Sequence, residues 1–511
     1  MLFSDKQLQA KMARALKTRA SKLAYVSTSQ LTLAGFESPF AQQLSSSNRW
    51  VQLAHQIPWD EIVISYDQQM NNKVTGAGHV NGRVVIGAIM IKHLCNLSDE
   101  ETILQIQENM YMQYFIGYSS YSNEAPFDSS LFVEIRKRLG VEQINTINEK
   151  IYEAFKQQQN EKSQPPESKG SDSDSIVDAN SKQNDFPTHE GRLLVDASAC
   201  PQDISYPTDL NILNDSRIKS EMLIDVLFDK VIHGKIKPRT YRKIARKDFL
   251  KTAQKKIKSK RDIRRSTGQQ LRYLKRNIGI INDLLDVYDR IPLDDKKYKY
   301  LLVIQEVYRQ QSLMRQTKTK SINHRIVSVH QPHVRPIVRG KARAKTEFGA
   351  KMQLSLVNGF SFIDYLSWDA FNEGTLLQSS VEQYKKRHGF YPKEVLADQI
   401  YCNRENRRIL KDLGIRLLAK PLGRPSAMNK EHVRPGERNP IEGKFGQAKT
   451  AYGLDRIKAR LNATSQSWIA SIILVLNLVR LARQASIDLF YRLIYFIIQQ
   501  LKLNHTGLLF Q

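Results

Sequence analysis

The sequence predicts a mixed α/β domain with helices on both faces of its sheet, preceded by an all-helical domain. Three observations carry that prediction. After residue 191, short apolar runs alternate with helical patterns, as they do when helices cover a sheet. Residues 48–156 read as helical throughout, and the stretch 157–190 between the two regions is rich in Ser, Gln, Asp and Pro with little to bury. A strongly basic helical block, 216–290, lies between the first strand and the second as an insertion.

Residues 1–47 are polar and mixed and are expected to form an N-terminal arm. In 48–156, Arg83–Cys95 is apolar enough for a core helix. Ser98 with Glu101 is a capping-box pattern opening the next helix. Asp128 or Ser129 is placed to cap a third helix, Leu131–Leu139, which carries Arg136, Lys137 and Arg138 near its end. Those cations either enter a DNA groove or form a solvated helix end that complements the dipole. Residues 157–190 read as a disordered linker.

The catalytic region is expected over 191–465. Its strands are expected at Arg192–Ala199, Arg325–His330, Lys351–Val357, Phe362–Ser367, Glu394–Asp398 and Ile415–Ala419. Helices are expected from about Ser380 to His388, from a cap at Asn403, and from Asn439 with Pro440 at its first position. Residues 466–511 read as apolar helices packing on this region. The hydrophobic run Trp468–Leu481 is interrupted by Asn477 and Arg480 and falls short of the roughly 18 clean residues of a spanning helix, so it reads as a core helix.

Charge narrows the function. The 78 Lys and Arg against 51 acids leave +27, a field that attracts polyanions. Nucleic acid is the first candidate partner and an anionic membrane surface the second. From Lys230 to Arg276 there are 19 Lys or Arg, Lys255, Lys256, Arg264 and Arg265 among them, and only two acids, Asp248 and Asp262. That block reads as a phosphate-tracking surface rather than a solvated arm. The three cysteines are widely spaced and form no CxxC pair, which fits a reducing cytoplasm and argues against a zinc ribbon. Residues 1–30 carry charges throughout and do not read as a signal peptide. No GxxxxGK loop is present to suggest ATP use.

Chemistry gathers on three acids. Asp196 interrupts the apolar run Leu193–Ala199, where a carboxylate is costly unless paired or metal-bound; taken singly, a strand-end hydrogen bond would explain it as well. Asp398 ends the run Val395–Ala397, at the kind of strand end where α/β sheets place function. Glu442 follows Asn439 by three residues, which also fits a capping pair. Lys449, seven residues on, shares nearly the same helix face, and Arg438 stands just before the helix. Hard oxygen ligands of this kind favour Mg2+ or Mn2+ over zinc, and two such ions can drive phosphoryl displacement. His330 and His333 lack further ligands nearby and are not read as a metal pair. Tyr401 and Cys402 read as loop residues, and no convincing tyrosine-recombinase site assembles around them.

These stretches together resemble the DDE transposases of bacterial insertion sequences, of the group-five type. The resemblance rests on LLVDAS around Asp196, the run Val327–Lys351, SWDAFNE at Ser367–Glu373, VLADQIYCNRENR around Asp398, and RNPIEGKFGQAKTAYGLDRI at Arg438–Ile457. It covers nearly the whole chain from about residue 48. It implies an RNase H-like catalytic domain with the triad Asp196, Asp398 and Glu442, and an N-terminal helical domain that recognises the element's terminal inverted repeats. It also implies that Lys449 contacts phosphate, and that Arg438 either does the same or braces Glu442. Some relatives carry a Tyr three residues before that Arg; here the position is Pro435. The expected activity is metal-dependent cleavage of element ends and strand transfer into target double-stranded DNA, by a homodimer on DNA, with two ions and no membrane. The alternatives are a catalytically silent DNA-binding relative and a nuclease of the same fold that does not join strands.

Overall fold

A computed structural model of the chain describes residues 44–70, 80–163, 189–338, 346–420 and 436–483. Most of the expected arm, most of the expected linker and the chain beyond Arg483 lie outside these residues.

The N-terminal part is helical: α1 Arg49–Gln56, α2 Trp59–Met70, α3 Gly82–Leu94, α4 Asp99–Glu108, α5 Met110–Phe115, α6 Leu131–Arg138 and α7 Val141–Ser163. Helix α3 is apolar on every side and buried almost throughout, so the other helices wrap it. The Ser98 hydroxyl caps α4, accepting from the Glu101 amide at 3.0 Å, as the sequence pattern implies. Asp128 instead turns the chain before α6, accepting from the Ser130 amide at 2.9 Å. Helix α7 runs to Ser163, well into the stretch expected to be a linker.

The sheet is built from β1 Arg192–Pro201, β2 Arg335–Val338, β3 Thr346–Val357, β4 Phe360–Ser367, β5 Glu394–Leu396 and β6 Arg416–Leu418. Its order is β2-β3-β1-β5-β6, with β4 also pairing β3. Strand β3 runs antiparallel to β1, β2 and β4, while β1, β5 and β6 are parallel to one another. An antiparallel meander continued by parallel strands, with helices packed on it, is the RNase H-like arrangement the resemblance implies. Helices α12 Leu377–His388 and α13 Arg404–Asp412 connect the later strands, and α14 Asn439–Tyr452 follows them. Asn403 caps α13 as expected, accepting from the Asn406 amide at 2.8 Å.

Between β1 and β2 stands a helical insertion of α8 Asp209–Leu227, α9 Arg242–Ala253, α10 Lys260–Leu285 and α11 Asp295–Thr317. It is longer at both ends than the expected 216–290. Leu213, Leu223, Ile224, Leu274, Ile281, Ile304 and Val307 form its own apolar core. Inside it, Arg217 donates to Glu221 at 2.6 Å, Asn214 at 2.8 Å and Gln270 at 3.1 Å, satisfying a buried charge. The expected strand Arg325–His330 is not a strand. Its apolar residues Ile326 and Val329 are buried in the insertion core, and the Gln310 side chain, rather than a neighbouring strand, accepts from the Ile326 amide at 2.9 Å.

Helix α15, Asn462–Arg483, is long and apolar enough to cross a membrane, yet 72% of its apolar window is buried inside the fold. Asn477 on α15 bonds both backbone groups of Ser361, at 2.8 Å each, which fastens the helix to β4. Side chains of α1–α7, of the sheet and of α15 share one continuous apolar core. The N-terminal helices and the sheet are therefore packed as one unit, with Asn145 of α7 donating to the Ile363 carbonyl of β4 at 3.1 Å.

Candidate active site

The first two acids are brought together by strand register. β1 and β5 are parallel neighbours with Leu194 opposite Leu396. Asp196 and Asp398 each lie two residues further along, Asp196 in the middle of β1 and Asp398 just past the carboxyl end of β5, with matching side-chain phase. Asp196 is largely buried, with 17% of its side chain exposed, whereas Asp398 is 56% exposed. Burial pushes the Asp196 carboxyl up to about 6, against the opposing pull of the Ala197 amide and the Arg438 charge; Glu373 and Asp398 add to the rise. The Ala197 amide donates to it at 2.8 Å.

The third acid arrives on α14. The residue opening that helix is Arg438, whose side chain makes no capping bond. Asn439 thus lies inside the first turn, and the capping pair that would have explained Glu442 does not form. Arg438 turns its guanidinium into the site instead. It stands 3.0 Å from Asp196 Oδ2, 3.2 Å from Asp398 Oδ1 and 3.9 Å from Glu442 Oε1. One buried-side cation therefore sits among three carboxylates drawn from β1, the loop after β5, and α14. Like charges this close repel unless a cation lies between them. Among the described residues, no three His, Cys, Asp or Glu side chains already stand grouped at metal-ligating separation. The donor set is nonetheless all hard oxygen, and Asp196 is a desolvated carboxylate held beside two others, which fits a divalent cation of the magnesium type.

Two residues that the sequence did not single out border the site. Glu373 acts electrostatically on Asp196 and is itself paired with Lys351 at 2.8 Å, both side chains being mostly buried. The only signal for them was their place within two of the family-like stretches, since the pairing joins β3 to a short turn of helix after β4. Tyr401 is fully buried, and burial together with nearby Glu373 and Asp196 holds its hydroxyl protonated far above the usual range. That environment is unsuited to a covalent tyrosine nucleophile. Lys449 lies on α14, half-buried.

The proposed DNA contacts divide. Arg136 is buried and forms two hydrogen bonds to Asp99, at 2.8 and 2.7 Å, while its guanidinium lies over Trp468 of α15. Its charge is engaged inside the fold, where it ties α6 to α4 and α15, so it is not placed to meet phosphate. Lys137 and Arg138 are exposed on the same helix end, with Lys137 paired to Glu134 at 2.7 Å. In the insertion Lys255, Lys256, Arg264 and Arg265 are all exposed, Lys255 pairing with Asp262 at 3.0 Å. His330 accepts or donates at 3.0 Å to the Tyr300 hydroxyl, and His333 packs edge-on to Trp368, burial pulling its imidazole down to about 4.

Comparison with known proteins agrees with this geometry. Residues 395–479, which include Asp398 and Glu442, match the family model described as "Transposase DDE domain". Residues 38–138 match "Transposase domain (DUF772)". An uncharacterized protein, ORF8 in the nfe locus of Rhizobium meliloti, is 34% identical over 93 residues, which is 18% of this chain and 42% of that protein. No solved structure matches significantly. With transposase domain models matched at either end of the described chain and an RNase H-like sheet that carries the acids, the chain is similar to the DDE-type transposases of insertion-sequence kind.

Proposed function

We propose that the protein cleaves DNA at the inverted-repeat ends of its element and transfers the freed 3′ ends into target DNA. The observation that carries this reading is the Arg438 guanidinium set among Asp196, Asp398 and Glu442. Three carboxylates that need a shared cation to coexist are the residues that would hold two Mg2+ or Mn2+ ions. Bound there, such ions would supply Lewis-acid activation of the attacking oxygen and stabilisation of the leaving one.

The chain's own residues set up the rest. β1 and β5 hold Asp196 and Asp398 at one level, and burial on the Asp196 side keeps water from screening the charges. Arg438 neutralises the acids and, were cations held there, its guanidinium would be free to meet the phosphate that the site must bind, with Lys449 further along the same helix for a second phosphate contact. Lys137 and Arg138 on one surface and Lys255, Lys256, Arg264 and Arg265 on another hold the duplex by its backbone. Pairing two ends requires two such sites, so the protein acts as a dimer on DNA.

The test uses duplex DNA taken from the regions flanking the coding sequence, with magnesium. Wild-type protein is expected to nick it and to insert labelled ends into a plasmid. Asp398→Ala is expected to lower cleavage by at least about a hundredfold, the scale of losing one transition-state stabiliser, while keeping duplex affinity. Normal cutting by that variant would refute the assignment. Cutting by the wild type without insertion would leave a nuclease.

A further inference from the structure

The insertion carries a feature that phosphate binding does not use. Helix α9 presents an exposed cationic stripe of Lys243, Arg246, Lys247 and Lys251, recurring at helical spacing. The loops at both ends of α9 each carry the triplet Lys-Ile-Lys, at Lys235-Ile236-Lys237 and at Lys256-Ile257-Lys258. The isoleucine of each triplet is almost wholly exposed, 88% for Ile236 and 86% for Ile257. Single exposed apolar residues are ordinary. Two that share the same flanking charges, at the two ends of one basic helix, form a pattern.

The neighbouring bonds show that both loops are held. The Lys237 ammonium and the Arg242 guanidinium share Asp225, Lys237 at 2.5 Å and Arg242 at 2.7 Å. Lys255 pairs with Asp262 at 3.0 Å, and the Ser259 hydroxyl caps α10 at 3.0 Å. Arg276 of α10 donates to the Thr240 carbonyl and Gln270 of α10 donates to the Ala245 carbonyl, fixing α9 antiparallel along α10. The isoleucines thus project from anchored loops on either side of a helix that rises about 18 Å.

Resting on the DNA-binding reading above, we propose that α9 and its two flanking loops form a duplex-bending surface, in which Ile236 and Ile257 enter the DNA as apolar wedges between base steps. The flanking lysines bring each wedge to the groove by neutralising the phosphates on both sides, and the α9 stripe holds the backbone between them. A branched apolar side chain gains by leaving water between unstacked bases, and the unstacking kinks the duplex towards protein that can then contact more of it. The same charges would suit an anionic membrane, but a membrane-surface helix needs a continuous apolar face, and the exposed face of α9 is cationic except for Ile244.

The test uses the full chain and two probes: a duplex from the flanking DNA and a random-sequence duplex of equal length, each carrying end-to-end fluorophores and internal 2-aminopurine. Wild-type protein is expected to shorten the end-to-end distance and to raise 2-aminopurine fluorescence. Ile236→Ala and Ile257→Ala should each reduce both signals, and together abolish them, while the dependence of affinity on salt keeps its slope. Lys256→Gln should flatten the salt slope by about one unit, which neither isoleucine substitution does. Val231→Ala, equally exposed at 91% but not set between two lysines, should change nothing. Undiminished bending and unstacking in the double isoleucine variant would overturn the wedge, as would wild-type binding that leaves DNA straight. Loss of binding to phosphatidylserine vesicles in that variant, with DNA bending intact, would overturn it in favour of a membrane. A wild type that binds neither duplex would instead defeat the DNA-binding reading on which the wedge rests.

Discussion

The guanidinium of Arg438 lies 3.0 Å from the carboxylate of Asp196, although the two residues are separated by 242 positions in the chain. The same guanidinium is 3.2 Å from Asp398. It occupies the position between carboxylates that a divalent cation would also favour, so arginine and cation compete for one set of oxygens. Replacing it should therefore have opposite effects with and without metal. Arg438→Ala is expected to melt at lower temperature than the wild type in chelator, because three carboxylates lose their counter-charge. It is expected to show a larger rise in melting temperature on adding manganese, because no arginine has to be displaced. Equal manganese-induced shifts in the two proteins would show that the guanidinium and the ion do not compete.

Glu373 adds negative charge beside Asp196 and is held by Lys351 at 2.8 Å. Glu373→Gln is expected to raise the magnesium concentration needed for half-maximal cleavage several-fold, since a nearby anion strengthens the field that draws the cation. Lys351→Met leaves Glu373 mostly buried without its partner and should cost about 3–5 kcal/mol of stability, read by urea denaturation. An unchanged magnesium requirement in Glu373→Gln would remove it from the site.

Arg136 and Lys92 converge on Asp99, at 2.7 and 3.0 Å. Burial raises the Asp99 carboxyl, but the hydrogen bonds from Arg136 and the charge of Lys92 outweigh it and hold it below the ordinary carboxylate value. A depressed folded-state value means that this stability is present above the unfolded value, near 3.9, and is lost as pH falls through the lower folded value. Asp99→Asn should therefore unfold at lower urea than wild type at neutral pH, and the gap should close in acid. A difference that persists unchanged at the lowest accessible pH would place the effect elsewhere.

Lys256, Arg264 and Arg265 face solvent in the insertion. If they lie on phosphates, each substitution by Gln should reduce the slope of log affinity against log salt by about 0.9. Arg136→Gln should leave that slope unaltered, because its charge is engaged inside the fold, and should lower stability instead. Filter-binding or anisotropy titrations across a salt series measure both. A slope change for Arg136 equal to that for Lys256 would contradict the buried placement.

Much of the fold was readable from local pattern. The apolar runs at Arg192, Lys351, Phe362, Glu394 and Ile415 all lie on strands, because alternation and β-branched content report burial along a single segment. Caps at Ser98 and Asn403 were readable for the same reason, since a cap bonds within its own turn. The run Arg325–His330 was misread because apolar content reports burial without saying against what. Ile326 and Val329 are buried in the insertion core and Val327 in the core around the sheet, and the Gln310 side-chain amide of α11 replaces the strand partner.

Residue type and strand position made Asp196 and Asp398 candidates, since a carboxylate in or beside an apolar run is costly unless compensated, and only the resemblance to DDE transposases joined Glu442 to them. Which cation answers each of them was settled by folding. The guanidinium of Arg438 reaches the acids through long-range packing of α14 on the sheet, and the guanidinium of Arg136 turns inward because Asp99 and Trp468 meet it there. A linear chain records how often cations occur and where they sit along a helix. It does not record which face of that helix another element will cover, because that depends on contacts closed across hundreds of residues.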